Sequence, residues 1–202
     1  MRRFICFAGF FTLLYFSTAA AEKSDSTRAR MGIQIKRGQH AVLAENTRSL
    51  QPGDQLRIYV IPESEAFVYV VHSDQAKASL LNQDRAGMKE SNLILPSPGG
   101  FFEVDGQSTH EAITIVCSHR ELKELAGLFH QGTASHSEWK GLEQKLLGQN
   151  RIELNQNIEK PLTIAGNVRG ISPALPDPFI GRLRAYSGHK VLVKTYAFAV
   201  QK

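Results

Sequence analysis

Cysteine is nearly missing from this chain of 202 residues, which holds two, Cys6 and Cys117. Cys6 falls in an N-terminal apolar stretch, so the body of the protein keeps a single thiol, a disulfide framework is excluded, and the fold must rest on its core. Long hydrophobic runs are missing too. The longest, Phe4 to Phe16, has about a dozen residues against the roughly 20 that a membrane-crossing helix requires. Charge is neither abundant nor gathered: Lys and Arg number 24 and Asp and Glu 19, for a formal net charge of +5. Scattered in this way, and sparse on the aromatic-rich segments, the bases form no track for a nucleic-acid backbone. The signatures of common chemistries are absent as well. There is no Gly-x-Ser-x-Gly elbow, and Gly99-Gly100 lacks the Lys-Ser or Lys-Thr of a phosphate loop. Cys-x-x-Cys and His-x-x-x-His are not found, and no repeat of solenoid period occurs. No cofactor is expected.

What is present begins with a secretory pattern. Arg2 and Arg3, the apolar stretch, and Ser17 to Ala21 form a basic start, a short core and a small-residue cleavage site. Residues 1 to 21 are therefore expected to be a signal peptide cleaved after Ala21, the product being periplasmic or secreted with no transmembrane segment. Loss of the two arginines lowers the charge to about +3. Residues 22 to 31 are polar and read as a flexible leader, and residues 32 to 202 as one β-rich domain.

Short alternating runs then dominate. Leu56, Ile58 and Val60 define one strand and Ala66 to Val71 the next, with Pro62, Glu63 and Ser64 as a tight connection that predicts a hairpin. Gln51 to Asp54 reads as a turn. A short strand is expected at Lys77 to Leu81, a polar loop from Asn82 to Asn92, and strands at Leu93 to Leu95 and Phe101 to Val104. Between Glu111 and Ser118, Ile113, Ile115 and Cys117 point one way and Ala112, Thr114, Val116 and Ser118 the other. Two capping boxes follow, Ser118 with Glu121 and Ser135 with Glu138. Each leads into leucines at helical spacing, the second with Trp139, Leu142 and Leu146, so two amphipathic helices are expected between residues 120 and 149. A modest strand at Ile158 to Ile164 and a Pro-rich stretch from Ser172 to Pro178 come next. Phe179 to Tyr186 and His189 to Val200 then read as a closing hairpin about Ser187-Gly188. The fold class predicted is α+β, mainly β: an antiparallel sandwich-like sheet with a helical hairpin inserted near residues 120–149.

The segments LQPGDQLRIYVIPESEAFVYVVHSDQAKASLLN, NLILPSPGGFFEVDG and HEAITIVCSHREL, spanning about residues 49 to 125, together resemble the bacterial DUF4384 family. That family shows a Gly-Asp turn, an aromatic-rich strand of the type of Phe67, Tyr69 and Val71, an Asn before a Leu-x-Leu-Pro segment, and a Glu before an isoleucine-rich strand. The resemblance implies an extracytoplasmic β-sandwich-like module, attached in other proteins to unrelated partners. It carries over no catalytic residue.

Candidate sites follow from residue type. Cys117, with His119 two residues on and His110 at the start of the same strand, could form a His-activated thiolate and hence a thiol-dependent hydrolase. Against this, Cys117 shares the face of two isoleucines, where a free cysteine packs as a small hydrophobe. His110, Cys117, His119, His130 and His136 contain zinc-compatible donors, but their spacing fits no paired-ligand pattern and no metal is expected. Among the aromatics Tyr59, Phe67, Tyr69, Phe101 and Phe102, strand alternation leaves some off the core. Tyr59, Phe67 and Tyr69 are thus candidate binding residues, for a protein partner or for the sugar rings of cell-wall glycan. The function expected is a non-enzymatic module acting through protein contacts, its partner another envelope or extracellular protein.

Overall fold

The computed structural model describes residues 26–44, 49–149, 152–153 and 177–201. The signal peptide expected at 1–21, the strand at Ile158 to Ile164 and all but the end of the Pro-rich stretch lie outside these residues. Among the described residues no helix is long and apolar enough to cross a membrane.

The chain is α+β and mainly β, built as two antiparallel sheets face to face. In chain order the strands are β1 (Ser26–Arg37), β2 (His40–Leu43), β3 (Gln55–Pro62), β4 (Ala66–Ser73), β5 (Lys77–Leu80), β6 (Lys89–Glu90), β7 (Leu93–Leu95), β8 (Phe102–Glu103) and β9 (His110–Ser118). Helix α1 (Lys123–Leu128), strand β10 (Thr133–Ser135) and helix α2 (His136–Gln149) come next, then β11 (Ile152–Glu153), β12 (Arg184–His189) and β13 (Val191–Ala199). Sheet I has the order β11-β12-β1-β3-β7, with β2 also on β1 and β8 on β3; sheet II has the order β10-β5-β4-β9-β13, with β6 on β4. Alternation assigns the inner faces. Met31, Ile33, Ile35, Ile58 and Val60 from sheet I meet Val68, Val70, Ile113, Ile115 and Cys117 from sheet II in one core.

Three expectations require correction. The leader gives way to β1 at Ser26. Thr27, Ala29, Met31, Ile33 and Ile35 are buried while Arg28 and Arg37 are exposed, a period-2 pattern that the small side chains at 27 and 29 conceal. Secondly, β3 and β4 are strands but not a hairpin. The chain crosses at Glu63 to Glu65 from sheet I to sheet II, so β3 pairs with β1 and β4 with β9. The same holds at the C-terminal end, where β12 pairs with β1 and β13 with β9. Lys190, at a positive φ of 62°, makes the crossing two residues beyond the expected turn. In both places each strand already buries one face against the opposite sheet, which satisfies the alternation as well as a hairpin would. Thirdly, the helical hairpin is interrupted. β10 lies between the helices and pairs with β5 at the edge of sheet II.

The two capping boxes fare differently. At the second, Ser135 N donates to Glu138 Oε2 at 3.2 Å and Glu138 N donates to Ser135 Oγ at 3.3 Å, the reciprocal arrangement that starts α2. At the first, Ser118 remains the last residue of β9 and Leu122 is the residue before α1, with no side-chain cap.

The outer face of sheet II is covered, and that of sheet I in part. On sheet II, Tyr69, Val71, Val116 and Val193 pack under Leu125, Phe129, Trp139 and Leu142 of the helical layer. Helix α2 is also tied down by a buried carboxylate: Glu143 accepts from Thr114 Oγ1 at 2.7 Å on β9, from Thr195 Oγ1 at 3.0 Å on β13, and from Lys140 Nζ at 2.6 Å. Burial disfavours its charge, but the ammonium and the two hydroxyls outweigh that and hold the Glu143 carboxyl below its usual range. On sheet I, Tyr59, Phe179 and Leu183 form a smaller cluster. There Leu43 and Leu183 press so near the β1 backbone that a Cβ at Gly32 would lie 2.6 Å and 3.1 Å from their methyl carbons.

Candidate functional site

The expected site residues do not gather. Cys117 is fully buried in the inter-sheet core, and burial pushes its thiol up to about 12, away from thiolate formation. His110 stands at the opposite end of β9, about seven residues and hence roughly 23 Å away, and on the other face of the strand. Its Nδ1 lies 3.2 Å from Gln75 Nε2. His119 leaves the strand and places Nε2 3.4 Å from the carbonyl of Ser26. A His-activated thiolate is therefore not assembled. His130 is exposed beside Gly127, and among the described residues no three His, Cys, Asp or Glu side chains converge as metal ligands.

A direct check on Cys117 is available. The native protein is expected to resist alkylation until it unfolds, as mass spectrometry would show with and without denaturant. Cys117→Ala should cost about 1 to 2 kcal/mol, and Cys117→Ser more, because it buries a hydroxyl among Ile115, Val70 and Leu192. Labelling of the native thiol at the rate of a free one would contradict the packing.

The tyrosines are equally inaccessible. Tyr59 is fully buried on the outer face of sheet I, stacked on Phe179 with ring centroids 5.8 Å apart. Its hydroxyl donates to Asp177 Oδ2 at 2.6 Å, and burial together with that carboxylate raises its pKa. Tyr69 is fully buried beneath the helices, its hydroxyl accepting from Leu122 N at 3.1 Å. Neither offers a ring to a ligand. Phe67 is half-buried with Lys89 over its face, and Phe101 carries the Arg57 guanidinium at 3.9 Å from its centroid.

A cleft of about 330 Å³ opens instead where the two sheets part, at the ends of β4, β9 and β13. Its floor is the exposed margin of the inter-sheet core: Leu56 and Phe102 from sheet I, Leu81, Ile113 and Phe198 from the sheet II side, and Leu50 at the base. Leu50 is held there by strand-like bonds, donating to Ala199 O and accepting from Gln201 N, each at 2.9 Å. The polar wall begins with His72 and Glu111, which alternation places on the inward face of β4 and β9 beyond the last core residues. His72 Nε2 bonds Glu111 Oε2 across the two strands. Ser79 stands directly opposite His72 on β5. Asp74 caps the turn into β5, its Oδ1 accepting from Ala76 N and Lys77 N at 2.7 Å each. Those backbone donors, outweighing its partial burial, lower its pKa. Glu103 and Asp105 stand at the opposite rim. A second hollow of about 290 Å³ shares Asp74, Glu111 and Phe198 and faces the helical side, where His110, His136 and Lys140 line it.

Of the residues singled out from sequence, then, Phe102 lines the first cleft and His110 and His136 the second, while Cys117, His119, Tyr59, Phe67 and Tyr69 reach neither. His72, Ser79 and Glu111 were missed. The available signal was polar residues continuing an inward-facing run, as His72 does after Val68 and Val70, and Glu111 before Ile113 and Ile115. No family model matches the chain, and neither a curated protein nor a solved structure matches it.

Proposed function

We propose that this chain is an exported, non-enzymatic interaction module of the DUF4384 type, and that the mouth of the sandwich is where a short extended segment of a partner protein docks. One observation carries the reading. Apolar core side chains surface in a concave, polar-rimmed cleft, which is the usual composition of a ligand site, while the outer face of sheet II lies under the helical layer. Elsewhere among the described residues the large apolar side chains left exposed are Met88 and Leu147. The burial of Tyr59 and Tyr69 favours a protein partner over glycan, because sugar recognition by stacking needs an open ring. The displacement of Cys117 from both histidines disfavours the thiol hydrolase.

Peptide-display selection on the full-length protein tests this. Selected peptides should bind the wild type and lose at least about tenfold in affinity to Ser79→Trp, which fills the cleft, and to Phe102→Ser, which removes part of its floor. Circular dichroism would confirm that both variants are folded. Failure to enrich any peptide, or peptides indifferent to both changes, would overturn the reading.

A further inference from the structure

Resting on that reading, we infer that the docked segment presents a Lys or Arg side chain among apolar neighbours. The inference comes from the match between two kinds of surface in one cleft. Its floor is apolar, from Leu81, Phe102 and Phe198, whereas the carboxylates Asp74, Glu103, Asp105 and Glu111 stand around it. Lys77 is the permanent cation of the lining, so the cleft is acidic in a chain whose formal net charge is +5. A lysine or arginine has the complementary build: an apolar stem that lies along hydrocarbon and a charged head that stays at a wet rim. Low-dielectric walls strengthen attraction to the head. An aspartate or glutamate in its place would face like charge with a short stem. Glu103 and Asp105 are exposed at the rim, so they can meet the head without a large desolvation cost.

The test uses the tightest peptide from the display selection, remade with Lys, Gln or Glu at its central position and titrated by fluorescence anisotropy against the full chain. The Lys form should bind at least about tenfold more tightly than the Gln form, the Glu form should bind weakest, and added salt should shrink the gap. The double variant Glu103→Lys with Asp105→Lys, both at exposed positions, should invert the order. Equal binding of all three peptides would overturn the charge selection and leave the protein-binding reading standing. Preference for Glu would also overturn it. If selection yields no peptide, both readings fall together.

Discussion

Replacing Trp139 by alanine is expected to cost about 3 to 5 kcal/mol, the range for removing a large aromatic from a core that cannot fully collapse. Trp139 is fully buried, its ring 5.6 Å from that of Phe129 and tilted by 59°. It joins Leu125 and Leu142 to Tyr69, Val116 and Val193 of sheet II, so its loss opens a cavity between layers. Its indole N–H has no hydrogen-bond partner among the described residues. Trp139→Phe should accordingly be mild, about 1 to 2 kcal/mol, since lost packing is partly offset by removing an unpaired donor. Urea unfolding followed by circular dichroism measures both costs, and because Trp139 is the sole tryptophan, wild-type emission should be blue-shifted when native. A cost below about 1 kcal/mol for alanine would mean that α2 contributes little to stability.

Asn82 should prove nearly as sensitive, at about 2 to 5 kcal/mol for Asn82→Ala. This residue is fully buried, and its amide takes the place of a missing strand residue beside β4. Oδ1 accepts from Val70 N at 3.0 Å and Nδ2 donates to Val68 O at 2.8 Å. Along β4, β6 pairs with Ala66 and Phe67 and β5 with Val71 to Ser73, so the side chain bridges the gap between them. Alanine strands both backbone groups, at about 1 to 3 kcal/mol each. Asn82→Asp keeps the acceptor but sets a carboxylate against the Val68 carbonyl. Burial would raise its folded pKa above the unfolded value, so the variant should gain relative to wild type as pH falls and the acid becomes a donor. Hydrogen exchange at the Val70 amide, with stability measured at two pH values, checks both. Unchanged protection in Asn82→Ala would sink the account.

Much of the architecture was legible in the order of residues. Alternation placed Cys117 with Ile113 and Ile115, helical spacing placed Trp139 with Leu142 and Leu146, and Ser135 with Glu138 marked the start of α2. Pairing was not legible. A strand of the kind at Gln55–Pro62 buries one face against the opposite sheet whatever lies at its edge, so period-2 hydrophobicity does not say whether its partner is the next strand or one far along the chain. A short connection such as Glu63 to Glu65 serves a hairpin or a crossing equally. The site was hidden for a related reason. Sequence inspection favours reactive or aromatic side chains, and here those are interior, Cys117 between the sheets and Tyr59 and Tyr69 under the outer coverings. His72 and Glu111 become partners through a β4-β9 pairing that nothing local announces.

The crossings at Glu63 to Glu65 and at Lys190 also bear on how the chain assembles. β1 completes one side of its ladder with β12, from Ser26 opposite His189 to Met31 opposite Arg184, and β9 completes one of its own with β13. Both of these strands lie far along the chain from their partners, so neither sheet closes until residues 184–199 have been made. Such non-local pairing predicts slow folding, because a large loop must close before its contacts reward it. A nascent chain ending before residue 184 would hold β1 and β9 with an open edge each, ready to add a foreign strand. The C-terminal strands act as the clasp on both halves of the sandwich, and deletions there should aggregate where equal losses from a surface turn would not.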